Sequence, residues 1–242
     1  MMQPIYVMIL AILKHLGIYP VVYEGENSGM LVRNICPLMQ TKYHVSSQGG
    51  VLDFMMHVDN PDLRIRGECY EFTSAPDILS LLCIRNNDNI ETNLVSLKKV
   101  IGHLKHQSID LLMDEEYNIK RPDSFEMHSV TKKGLPLVTF DGNNYCSRFD
   151  AHRTSTDSSR HIAVLQEFDK IANSDVLHTK VNLQPGDLLI FDNQTMLHSR
   201  RKFTPKFDGS DRWLLRVFGL YQKPAQRFLL NPDTDQHHLK TL

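Results

Sequence analysis

Apolar residues recur along this chain in two rhythms, a helical one and a strand one. Residues 3–16 are apolar at most positions, which predicts a helix stopped by Gly17. Tyr19 to Tyr23 is β-branched and aromatic, and Gly29 to Pro37 reads as a second strand ended by its proline. The unbroken run Ile78 to Arg85 predicts a centrally buried strand, followed by a turn at Asn86–Asn89. Across 95–117 the apolar positions Leu97, Val100, Ile101, Leu104, Ile109 and Leu112 have helical spacing, consistent with two helices broken near Gln107-Ser108. Pro136–Phe140 and Tyr145–Asp150, joined through Asp141-Gly142-Asn143-Asn144, form the strongest hairpin signal. Residues 151–160 are polar and predict a mobile loop. Ile162–Ile171 predicts a helix burying Ala163, Leu165, Phe168 and Ile171. Asp233 to Leu242 predicts a frayed tail.

No repeat, low-complexity segment or long linker divides the 242 residues, of which 41% are hydrophobic. The pattern predicts one domain over 1–242, mainly β with flanking helices. With 27 basic and 28 acidic residues, no single-sign field points to nucleic acid or an anionic membrane as partner. The apolar run Ile5–Leu13 is too short to span a bilayer, and no basic residue precedes Lys14, so a packed helix is expected rather than a signal peptide. Cys36, Cys69, Cys83 and Cys146 lack Cys-x-x-Cys spacing, which argues against a zinc ribbon or redox dithiol. Cys36 and Cys83 sit in apolar runs and are expected to be buried, with reduced thiols in a cytoplasmic setting.

The chemistry gathers in two stretches. Leu183 to Asn193 is a turn at Pro185-Gly186-Asp187, an apolar strand and a second turn, followed by His198-Ser199-Arg200. A polar loop then leads into Asp211-Arg212-Trp213-Leu214-Leu215-Arg216. In an extended strand Arg212 and Arg216 share a face, roughly 13 Å apart. The upstream stretch holds the chain's only His-x-Asp, His57-Val58-Asp59. Residues i and i+2 of a strand face the same way, so His57 and Asp59 can converge on one ion, and His198 adds a second imidazole. Two imidazoles and one carboxylate are the donor set of the facial triad that holds non-haem Fe(II). Any one of these residues alone reads more simply as a surface histidine or a solvated arginine.

Gly186-Asp187-Leu188-Leu189-Ile190-Phe191-Asp192-Asn193, with His198-Ser199-Arg200 and Asp208 to Arg216, closely resembles the clavaminate synthase-like family. These are Fe(II)/2-oxoglutarate-dependent oxygenases that include hydroxylases of free L-amino acids. The match is dense over 183–219 and recognisable over 46–95. The resemblance implies a distorted double-stranded β-helix, or jelly roll, with His57, Asp59 and His198 holding iron. It implies that Arg212 clamps the far carboxylate of 2-oxoglutarate, a role suited to a planar guanidinium. Thr92 or Asn93 would assist that clamp. Arg216 would meet the carboxylate of the amino-acid substrate, Gln48 its α-amino end, and Asp150 a cationic side chain. His152 stands where arginine hydroxylases carry a second acid, which favours lysine over arginine. The family usually carries more chain before the first strand, so this sequence is expected to be either a truncated or a naturally short member.

The expected reaction is hydroxylation of an unactivated carbon of a basic L-amino acid, using O2. Competing readings are a same-fold oxygenase acting on another small molecule, a zinc or nickel jelly-roll protein without oxygen chemistry, and a binding protein with a decayed site. An intact triad with Arg212 makes the last the weakest.

Overall fold

The computed structural model describes residues 3–68, 72–125 and 130–241. Cys69 lies outside the described residues. The strands are β1 (Tyr19–Tyr23), β2 (Arg33–Ile35), β3 (Phe54–His57), β4 (Ile78–Arg85), β5 (Thr92–Ser96), β6 (Tyr117–Lys120), β7 (Thr131–Leu135) and β8 (Val138–Phe140). They continue as β9 (Tyr145–Ser147), β10 (Thr154–Ser155), β11 (Thr179–Val181), β12 (Leu188–Asp192), β13 (Met196–Arg200), β14 (Trp213–Leu220), β15 (Leu229–Asn231) and β16 (Asp235–Leu239). The helices are α1 (Pro4–His15), α2 (Leu97–Ile101), α3 (His106–Leu112) and α4 (Ser159–Ala172).

Two sheets build the core. The larger runs β12-β4-β14-β1-β16-β15 with β2 also on β14, and the smaller runs β11-β5-β13-β3. The longest strands, β4 and β14, pair antiparallel at the centre of the larger sheet, and their residues are almost all buried. Apolar side chains from both sheets share one cluster, including Leu79 and Leu81 of β4, Leu94 of β5, Phe191 of β12, and Leu214 and Phe218 of β14. A second cluster packs α2, α3 and α4 against the other side of the smaller sheet through Val95, Leu97, Phe168 and Leu197. α1 covers the larger sheet with Ile9 and Leu13, both fully buried against Ile78, Leu82 and Leu215. No helix among the described residues is long and apolar enough to cross a membrane.

Several expected elements differ. The strand expected over Gly29–Pro37 shrinks to β2, because a tight turn with positive φ at Asn27, Ser28 and Gly29 precedes it. Residues 151–160 are not a loose loop: β10 pairs with β6, and the backbone N–H groups of Arg153 and Thr154 bond the Asp150 carbonyl. The buried stripe of α4 is His161, Val164, Phe168 and Ala172; of the expected face Phe168 is buried, Leu165 and Ile171 are half-buried and Ala163 is exposed. The polar-looking member of the stripe explains the difference, since the His161 ring lies between Ser158 Oγ (2.7 Å) and Asp114 Oδ2 (3.1 Å). The expected frayed tail instead forms β16, parallel to β1, with Leu239 fully buried. Cys83 and Cys146 are buried free thiols, whereas Cys36 is only half-buried.

Candidate metal and anion site

β3, β5 and β13 lie side by side in the smaller sheet, and their register places the site. His198 of β13 is the cross-strand partner of His57 on β3 and of Leu94 on β5, so both imidazoles share one face. Their ring centroids are 4.1 Å apart. Asp59 follows β3 and returns to that face, with Oδ1 3.6 Å from His57 Nε2. One ligand atom from each of His57, Asp59 and His198 lies within 4.8 Å of the others. That is the one such group among the described residues.

The surroundings hold these side chains in ligand form. His57 Nδ1 donates to the Met55 carbonyl at 2.8 Å, which orients the ring with Nε2 toward the site. Phe54 stacks on the same ring at 3.8 Å. Burial and the neighbouring His57 lower His198 to about 3, which keeps it a neutral imidazole. Burial alone would raise the Asp59 pKa, but the Arg216 guanidinium holds it well below the carboxylate range. His57 Nε2 and His198 Nδ1 are buried with no hydrogen-bond partner. Buried polar atoms left unpaired are costly, and a divalent ion satisfies this set. The residues therefore fit Fe(II) in the facial-triad arrangement.

Asp59 is fixed from two sides. Asn193, fully buried in the turn after β12, accepts the Asp59 N–H at 2.9 Å and donates to the Asp59 carbonyl at 3.0 Å. Arg216 of β14 donates from Nη1 to Asp59 Oδ2 at 3.1 Å and from Nη2 to Glu26 Oε1 at 2.5 Å. Arg33 and Asn60 also bond Glu26, at 3.4 and 3.2 Å. Of these, the sequence reading placed Arg216 at the site but missed Glu26, Arg33 and the grip of Asn193. Asp192-Asn193 reads in sequence only as a turn, and Glu26 carries no local signal.

A second group lies beside the triad. Arg212 Nη2 donates to Thr92 Oγ1 at 2.7 Å, while its Nε is buried and unpartnered. Arg200, two residues beyond His198 on the same face, is the cross-strand partner of Thr92. Arg200, Arg212, Thr92 and Ser47 line one cavity with His57, Asp59, His198 and Arg216. Burial lowers Arg212 to about 10, helped by the charge of Arg200, and it remains cationic at neutral pH. Asn93 does not join this cavity. It alternates with Thr92 along β5 and its amide faces Ser199 Oγ at 3.5 Å, so of the two expected positions Thr92 is the one at the anion cavity.

Asp150 is buried beside His57, with which it forms a backbone bridge, and lines a small cavity that includes Asp59 and Arg216. Its carboxylate already has company: Oδ2 is 3.6 Å from Arg153 Nε, and the far end of Arg153 grips Asp123 at 2.9 and 3.2 Å. Gln48 is outside both of these cavities. It lines a neighbouring one with Arg33, Thr41 and Asp123, and Ser46 and Ser47 of the same loop face the triad instead.

A jelly-roll core with a His-Asp-His triad opening onto an arginine-lined pocket is the architecture of non-haem Fe(II)/2-oxoglutarate oxygenases. The chain belongs to the taurine catabolism dioxygenase TauD, TfdA family, whose profile matches residues 39–218. The expected kinship with clavaminate synthase-like amino-acid oxygenases is borne out by its relatives. It is 28% identical over 216 residues to an L-asparagine oxygenase of Streptomyces coelicolor, covering 88% of this chain and 61% of that one. It is 51% identical over 224 residues to an L-ornithine/L-arginine 3-hydroxylase of Catenulispora acidiphila, covering 81% and 61%. A crystal structure of asparagine oxygenase with Fe(II), 2S,3S-3-hydroxyasparagine and succinate superposes with a TM-score of 0.79 at 25% identity, over 92% of this chain and 66% of that one. The chain thus spans about three fifths of the curated relatives it matches.

Proposed function

We propose that this protein is an Fe(II)/2-oxoglutarate-dependent oxygenase that hydroxylates an unactivated carbon of a free L-amino acid, using O2. The observation that carries the reading is the shared cavity. A buried triad with unsatisfied nitrogen donors stands next to a buried arginine that has no acid partner among the described residues. Iron with 2-oxoglutarate supplies the oxidising chemistry, and the co-substrate leaves as succinate and CO2.

The chain's own residues bind, orient and exclude water. His57 and His198 offer nitrogen donors and Asp59 an anionic oxygen. Asn193 and Arg216 keep Asp59 from swinging away, as supporting contacts do in metal sites generally. Arg212, steadied by Thr92, receives the far carboxylate of 2-oxoglutarate. Arg216 uses two of its five N–H bonds on Asp59 and Glu26, so others can meet the substrate carboxylate. The apolar wall of Ile35, Leu79, Leu81 and Leu214 keeps the cavity dry, which strengthens each of these electrostatic contacts. The free thiols fit a reducing, cytoplasmic setting.

For the substrate we favour a basic amino acid, lysine, ornithine or arginine, with Asp150 meeting the side-chain cation. The relative named as an ornithine/arginine hydroxylase supports this class. A second reading has a specific observation behind it. Because Arg153 already faces Asp150 at 3.6 Å, an uncharged side chain such as that of asparagine would need no ion partner there. Turnover separates them: the enzyme is incubated with 2-oxoglutarate and L-lysine, L-ornithine, L-arginine or L-asparagine, and succinate and hydroxylated product are measured by mass. Product from a basic amino acid supports the first reading, and product from asparagine alone replaces it with the second. Succinate formation that no amino acid stimulates overturns the substrate class.

A further inference from the structure

Resting on the oxygenase reading, we propose that Arg200 is a second cation of the co-substrate pocket, acting with Arg212 to select a 2-oxo acid that carries a remote carboxylate.

Arg200 is nine-tenths buried, as Arg212 is. On β13 it lies two residues from His198, so its side chain leaves the sheet on the triad's face. Across the sheet its partner is Thr92, whose hydroxyl accepts the Arg212 bond, and both guanidinium groups line the same cavity. Neither makes an ion pair among the described residues. Arg200 Nη1 meets only neutral backbone, the carbonyls of Arg201 at 3.0 Å and Gly50 at 3.5 Å. Its Nη2 is buried with no partner. Asp53, an acid whose field reaches Arg200, uses Oδ1 to accept the Lys202 N–H.

Two desolvated cations side by side repel each other and strand N–H donors, an arrangement that is unfavourable until an anion enters. Every other arginine near the triad has an acid: Arg216 has Glu26 and Asp59, Arg33 has Glu26, and Arg153 has Asp123 and Asp150. A far carboxylate entering between them would meet both charges and give the stranded N–H groups an acceptor, which a monoanion of the same length ending in a methyl group cannot do. The bonds from Arg200 to Gly50 and the packing of its guanidinium over Phe203 at 5.1 Å also tie the pocket to the loop that presents Ser46 and Ser47.

The test compares 2-oxoglutarate with 2-oxopentanoate, which has the same chain but no far carboxylate. Both are titrated calorimetrically into Mn(II)-loaded wild-type protein and into Arg200→Gln, with melting temperatures recorded alongside. The expected result is a ratio of the 2-oxopentanoate to the 2-oxoglutarate dissociation constant at least tenfold smaller in Arg200→Gln than in wild type, with most of it restored by Arg200→Lys. A purely structural role would weaken both ligands together and leave the ratio alone. Should glutamine not fold, Arg200→Met keeps the stem packed and is read in the same way. An unchanged ratio in the neutral variant, or no restoration by lysine, overturns the proposal while wild-type binding keeps the oxygenase reading. Wild-type protein that fails to bind 2-oxoglutarate overturns both.

Discussion

The two ends of the triad cavity are built on opposite electrostatic principles. Toward β14 and β2, buried charges are matched: Arg216 and Arg33 share Glu26, Arg216 also holds Asp59, and Arg153 lies between Asp123 and Asp150. Toward β5 and β13, Arg200 and Arg212 are buried with stranded N–H groups and make no ion pair among the described residues. A matched network is complete by itself and fixes geometry, here that of the Asp59 carboxylate. An unmatched pair costs stability and is completed by a ligand, so it marks where an anion belongs. Burial alone does not separate the ends, since all of these arginines are buried or nearly so. Whether each has an acid partner does.

The largest effect is expected at the matched end. Glu26→Ala leaves Arg33 and Arg216 buried against one fewer carboxylate. The expected loss is about 3–5 kcal/mol of unfolding free energy, measured by denaturant titration. A loss below 1 kcal/mol would mean that the network is not a unit.

Between the ends, the triad should titrate. Burial beside His57 keeps His198 neutral to about pH 3 in the folded chain, against about 6.5 when unfolded. The unfolded state therefore binds more protons in that window, and metal-free protein should lose stability on the order of a few kcal/mol as pH falls from 6.5 toward 3. His198→Gln should flatten the profile, as followed by thermal melts across pH.

At the unmatched end, removing a cation relieves repulsion as well as losing ligand affinity. Arg212→Gln should weaken 2-oxoglutarate by about 100-fold, roughly 2.7 kcal/mol. The same variant should melt no lower than wild type. A matched-end arginine could not behave this way, so a large drop in melting temperature would erase the distinction. The smallest expected effect is at Asp150. Asp150→Asn should raise KM for a basic amino acid about tenfold and leave that of 2-oxoglutarate unchanged, because Arg153 and Asp123 remain paired.

The triad was legible because its spacing is local. His57 and Asp59 are separated by one residue, and His198 sits in a stretch dense with family signature. Arg212 was legible for the same reason. Glu26, Arg33 and Arg153 were not, because their meaning lies in contacts that the sheet creates between distant residues: Glu26 reaches Arg216 from the far end of the chain. Asn193 was read as a turn residue, which it is, while its side chain also clasps Asp59. Arg200 belongs to the His198-Ser199-Arg200 motif, but that it makes no ion pair among the described residues has no sequence signature. The fold followed the same rule. Runs with strong periodicity such as Ile78–Arg85 were found, and the polar strand Asp235–Leu239 was taken for a tail because its pairing to β1 is made from across the chain.

If one cavity accepts Fe(II), the co-substrate and the amino acid together, each must perturb the others' binding. Anaerobic titration of the protein with Fe(II) and 2-oxoglutarate, followed by visible absorption, tests this most directly. A weak metal-to-ligand charge-transfer band is expected that shifts when L-lysine, L-ornithine or L-arginine is added, and that Arg212→Gln abolishes at wild-type concentrations. A folded, iron-loaded protein that shows no band with 2-oxoglutarate would contradict binding in one cavity.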